Sequence, residues 1–172
     1  MPGAATGQGT QKGTEKGTGQ GTGQAAGVAM SIAELETFLH GEFPQAFGPG
    51  KPHHVVAIGP RTATLRLDAA DEHLRPGGTV SGPALMALAD IAVYVALLAQ
   101  IGPVALAVTT NLSINFLRKP APGAIYADAR LIKLGKRLAV GDVGLRGEGD
   151  GDLVAHCVAT YSIPDRPAKA ER

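Results

Sequence analysis

The chain has 172 residues, 44% hydrophobic and 18% charged, with a formal net charge of +1. That balance suits one soluble globular domain plus a tail, and it gives no electrostatic pull toward nucleic acid or an anionic membrane. A single cysteine, Cys157, excludes an internal disulfide; the His and Cys positions show no zinc-ligand spacing, and the lack of Trp and scarcity of aromatics disfavour a base-stacking surface.

In chain order, residues 1–29 are of low complexity, with four tetrapeptides (GTQK, GTEK, GTGQ, GTGQ) from Gly9 onward. Almost no large apolar side chain stands there to offset the entropy of ordering, so a flexible tail is expected, with the folded domain over 30–172. Nothing in the tail looks like a secretory signal, so a cytoplasmic location is expected, and Met30 is a second candidate translation start. Ser31 and Glu34 form an S-x-x-E capping box, with Met30 and Leu35 set as a hydrophobic staple. The spacing of Ile32, Leu35 and Leu39 predicts a short helix to about His40, closed by Gly41.

Val55 to Leu67 reads as a strand, with a bulge or turn open at Gly59-Pro60. The stretch from Ala84 to Ile101 has only Asp90 and Gln100 as polar residues. A carboxylate near the middle would be costly in lipid, so a helix buried on nearly all sides is expected, N-capped by Ser81 and stopped by Gly102-Pro103. Four strand-like segments follow: Val104 to Arg118, Ala124 to Leu134, Leu138 to Arg146 and Leu153 to Ile163. In the last, Leu153, Ala155, Cys157, Ala159, Tyr161 and Ile163 share one face, and His156 and Thr160 the other. One long apolar helix among several strands predicts an α+β fold, an antiparallel sheet wrapped around a single central helix.

The distinctive stretch is Arg75-Pro-Gly-Gly-Thr-Val-Ser-Gly-Pro83, leading into Leu88-Ala89-Asp90. It resembles the PaaI-type branch of the hotdog thioesterase superfamily (the 4-hydroxybenzoyl-CoA thioesterase superfamily), whose pattern is N-x-x-G-x-x-H-G-G followed by a helix with L-x-D. Thr109-Thr-Asn-Leu-Ser-Ile-Asn-Phe-Leu117 resembles the family's next strand, and Lys136-Arg137-Leu-Ala its K/R-x-L/V-A hairpin. The likeness covers roughly residues 53–164, and it departs at Arg75, Ser81 and Pro83, where the family carries Asn, His and a second Gly.

Asp90 is the leading catalytic candidate. Apolar helix surface surrounds it, and desolvation makes a carboxylate a better proton acceptor. The resemblance implies that it acts as general base on water or as nucleophile on a thioester carbonyl, and both routes stay open. Gly82 stands at the helix start, where its N–H lacks an intrahelical partner and the helix dipole favours developing negative charge. Nine residues at roughly 100° each set Asp90 on the opposite side of the helix from Ser81. The resemblance answers with a dimer or tetramer whose site lies at a subunit interface.

Thr109 aligns with a family Ser/Thr that places the attacking water, although Thr110 is adjacent. Ser81 is either a helix cap or an added substrate contact. The resemblance sets Arg75 and Gly78 along the substrate, while Arg118, Lys119, Lys136 and Arg137 are candidate partners for the phosphates of CoA. Among the histidines only His73 merits testing; His156 should face outward and Cys157 should fill the core. The expected substrate is an acyl-CoA, hydrolysed without metal or separate cofactor. The alternative is a non-catalytic acyl-CoA-binding or regulatory hotdog domain. A hydratase is disfavoured, since neither G-D-x-N-P-x-H nor H-F-P occurs.

Overall fold

The computed structural model describes residues 27–149 and 151–165. Most of the expected tail, residues 1–26, therefore lies outside the described residues. At its near end, Ala29 donates from its N–H to the Ala99 carbonyl at 2.6 Å, and Met30 is buried.

Helix α1 spans Ile32–Glu42 and begins with the expected capping box: Ser31 Oγ accepts from the Glu34 N–H, and the Ser31 N–H donates to Glu34 Oε2 at 2.7 Å. Gly41 does not end it. The helix runs through to a C-cap at Phe43, whose N–H donates to the Leu39 carbonyl. Phe43 packs against the buried Phe47, with ring centroids 6.1 Å apart. Tertiary packing there outweighs the weak helix propensity of one glycine.

Strands β1 (His53–Gly59) and β2 (Thr62–Asp68) form an antiparallel hairpin, so the open choice at Gly59-Pro60 resolves as a turn. A short ribbon that the residue pattern did not announce, β3 (Leu74–Arg75) with β4 (Thr79–Val80), turns through Gly77 and Gly78 at φ +93° and +70°. Helix α2 (Gly82–Ile101) follows, then β5 (Val108–Phe116), β6 (Ala124–Leu134), β7 (Leu138–Gly147) and β8 (Leu153–Ser162). The segment from Val104 to Ala107, expected to be strand, is turn and loop instead.

The six-stranded sheet has the order β1-β2-β6-β7-β8-β5, antiparallel throughout, and α2 packs across its concave face. Twelve α2 residues are buried, from Leu85 to Ala99. By length and composition α2 could cross a bilayer, yet 72% of its most apolar 18-residue window is buried inside the domain. It is the core helix of this fold. Close approach is possible because β7 offers Gly141: a β-carbon there would fall 2.7 Å from both methyls of the buried Val93. On β8 the expected alternation holds from Ala155 to Ile163, whereas Leu153, at the strand's start, is 37% exposed.

Candidate active site

Ser81 caps α2, its Oγ accepting from the Ala84 N–H at 3.4 Å, and Pro83 occupies the first turn, where no N–H is needed. The Gly82 N–H makes no hydrogen bond among the described residues. Gly82 lines a cavity of about 330 Å³ together with Arg75, Thr79, Val80, Leu85, Phe116, Leu117, Arg118, Lys119 and Pro120. Four expected site residues, Arg75, Gly82, Arg118 and Lys119, thus converge there. Arg75 Nε donates to Thr79 Oγ1 at 3.0 Å; Arg118 donates to the Leu153 carbonyl at 2.8 Å and pairs with Asp152 at 3.1 Å.

Asp90 lies two turns along α2, about 12 Å from Gly82 by helical rise. It is half-buried, at the wall of a second cavity of about 320 Å³. The other lining residues are Glu42, Phe43, Ile91, Tyr94, Ala105, Ala107, Val108, Thr109 and Tyr161, mostly apolar. Thr109 Oγ1 donates to Asp90 Oδ1 at 2.5 Å, and Tyr161 Oη lies 2.8 Å from the same oxygen. Asp90 Oδ2 takes no hydrogen bond among the described residues and is not sealed from solvent. One carboxylate oxygen is held by two hydroxyls, and the other is left without a hydrogen bond among the described residues.

A β-bulge between Thr109 and Asn111 settles which threonine meets Asp90. The bulge turns Thr109 inward and leaves Thr110 to donate to the Thr160 carbonyl at 3.2 Å. The contact from Tyr161 was not foreseen, because the alternation of β8 marked that residue only as core. A buried tyrosine hydroxyl does need a partner, and that was the available signal. Burial, then the Asp90 charge, drives the Tyr161 hydroxyl far above the usual tyrosine range. Tyr94, raised by burial and then by Glu42, donates to the Ala105 carbonyl at 3.3 Å.

The remaining candidates lie apart from both cavities. Gly78 serves the turn before α2 through its positive φ. Lys136 lines a depression with Ile101 at the far end of α2, and Arg137 pairs with Asp165 at 3.4 Å. His73 Nδ1 accepts from the Ala70 N–H at 3.0 Å, a local turn contact. His156 reaches Asp142 at 2.5 Å on the outer face of the sheet, and Cys157 is fully buried.

One long helix packed against a six-stranded antiparallel sheet defines a hotdog-fold domain. The chain belongs to the thioesterase superfamily, whose family model matches residues 77–154. A solved structure from Silicibacter sp. TM1040, provisionally designated a thioesterase, is 45% identical, with a TM-score of 0.73 over 85% of this chain and 97% of that one. A variant of the phenylacetic acid degradation protein PaaI of Thermus thermophilus is 27% identical, with a TM-score of 0.58 over 65% of this chain and 93% of its own. A Thermoplasma acidophilum protein with a provisional esterase designation is 27% identical over 63% of this chain and 81% of its own. These relatives point to a hydrolase.

Proposed function

We propose that this protein hydrolyses an acyl-CoA thioester to the free acid and CoA in the cytoplasm, using Asp90 as the reacting carboxylate. The supporting observation is that Asp90 lines a largely apolar cavity with Oδ1 held by two hydroxyls and Oδ2 left without a hydrogen bond among the described residues. As a base, Oδ2 takes a proton from a water that attacks the carbonyl carbon. As a nucleophile, it attacks that carbon itself, and water then cleaves the resulting mixed anhydride. In either route the C–S bond breaks and the electron pair leaves on the CoA sulfur. Thr109 would orient the water beside Asp90.

The carbonyl oxygen needs a donor, and the free Gly82 N–H at a helix start suits developing negative charge. In one chain Gly82 and Asp90 face separate cavities. Strand β5 suggests how they meet. It lies at the sheet edge, bonded among the described residues only to β8, and its ends, Val108 and Phe116, are 55% and 52% exposed. Val108 lines the Asp90 cavity and Phe116 the Gly82 cavity. Antiparallel pairing of two β5 edges about Leu112 would set each Val108 opposite a second Phe116. The Asp90 cavity of one subunit would then adjoin the Gly82 cavity of the other. Arg75, Arg118 and Lys119 would offer charge to the CoA phosphates. Such pairing also covers an edge that would otherwise invite aggregation.

A pure acyl-CoA-binding role draws support from Ser81. Its hydroxyl is used in the helix cap where the family pattern has an imidazole. Thiol release from phenylacetyl-, 4-hydroxybenzoyl-, hexanoyl- and dodecanoyl-CoA, compared between wild type and Asp90→Asn, separates the two readings. Turnover reduced by roughly a hundredfold or more in Asp90→Asn is expected. Binding without wild-type turnover favours the second reading, and undiminished turnover by Asp90→Asn rejects the site.

A further inference from the structure

Tyr161 stands directly across the sheet ladder from Thr109. That register sets two hydroxyls side by side beneath one carboxylate. Tyr161 Oη is 2.8 Å from Asp90 Oδ1 and 2.9 Å from the Asp90 main-chain oxygen. Its ring is 3% exposed and stacks on Tyr94, with centroids 6.2 Å apart and planes at 20°. The single phenolic proton is therefore shared between two acceptors of the same residue, and the ring is buried where it lies. The hydroxyl thereby ties the Asp90 carboxylate to the backbone of α2, limiting rotation of the side chain.

We infer that Tyr161 is a positioning residue: with Thr109 it occupies Asp90 Oδ1, so that Oδ2 is the oxygen presented to substrate. The role rests on the hydrolytic reading of Asp90. Burial and the neighbouring charge keep the phenol protonated through the neutral range, so it stays a hydrogen-bond donor to Asp90. The Tyr94 stack adds a physical link between the cavity wall and this clamp.

Tyr161→Phe keeps the ring and removes the donor. With phenylacetyl-CoA and hexanoyl-CoA, kcat should fall roughly ten- to a hundredfold, since a loosened carboxylate spends less time in line with the carbonyl carbon. KM should change by less than about threefold, because no direct substrate contact is lost. Thr109→Val and Tyr161→Phe should be non-additive in kcat, as both act on one oxygen. Cys157→Ala, on the same buried face of β8 but without a hydrogen bond to Asp90, controls for packing and should retain kcat. Thermal melts by circular dichroism accompany every variant. Full kcat in Tyr161→Phe overturns the role, as does an effect confined to KM or an equal loss in Cys157→Ala. A wild type inert toward every thioester overturns the hydrolytic reading and this role with it, whereas an active wild type whose Tyr161→Phe variant is unimpaired removes this role alone.

Discussion

Phe116 lies against Gly82: a β-carbon built on the glycine would stand 3.1 Å from Phe116 Cζ and 3.4 Å from Cε1. The ring is half-exposed and can give by the few tenths of an ångström required. Alanine also suits a helix better than glycine. Gly82→Ala should therefore melt within about 3 °C of wild type. If the Gly82 amide receives the thioester oxygen, the methyl crowds that approach, and kcat/KM should fall roughly tenfold or more. Parallel melting curves and thiol-release assays check both halves, and unchanged kcat/KM would remove Gly82 from the site.

The β5 edge makes a claim about assembly. Wild type should sediment as a dimer or tetramer. Val108→Glu combined with Phe116→Glu places like charges along the proposed seam, and such juxtaposition disfavours association. That variant should sediment as a monomer with an unchanged circular dichroism spectrum and lose most turnover, because each chain alone keeps Asp90 and Gly82 in separate cavities. An active monomer would refute the shared site.

Gly141 and Val93 test how tightly α2 sits on the sheet. Gly141→Ala forces a β-carbon to 2.7 Å from two methyls of a fully buried side chain. Overpacking of this kind costs about 1–3 kcal/mol and should lower Tm by roughly 3–10 °C. Adding Val93→Ala opens the space and should recover part of the loss, since the two residues share one contact. Chemical denaturation of both variants measures the recovery.

Cys157 carries a pH dependence. Its thiol is pushed up to about 11 from 9.0, first by burial and then by the Asp90 and Asp142 charges. The unfolded chain releases this proton near pH 9 while the native chain keeps it, so stability falls as pH rises from about 9 to 11. Urea midpoints across that window should decline less steeply in Cys157→Ala than in wild type. The native thiol should also resist thiol reagents at neutral pH and react fully once unfolded. Rapid labelling of the native protein would contradict its burial.

The elements were legible where local chemistry decides them. The capping box at Ser31 and Glu34, the Ser81 cap and the apolar run containing Asp90 announce α1, α2 and the single-helix architecture, because caps and burial patterns act within a few residues. The extension of α1 past Gly41 was not legible, since Phe43 and Phe47 supply its reason from outside the helix. The loop at 104–107 likewise read as strand from its apolar composition alone.

For the candidate site, the sequence marked Asp90 as a carboxylate in apolar surroundings, and with the family resemblance it marked Gly82 as a free amide at a helix start. Both are properties of one helix and its period. Only the tertiary structure decided that Thr109 rather than Thr110 meets Asp90, that Tyr161 joins it, and that Glu42 and Phe43 help wall the cavity. Those contacts depend on a bulge in β5 and on residues 19 to 71 positions away from Asp90, and strand register over such separations is set by packing rather than by neighbours in the chain.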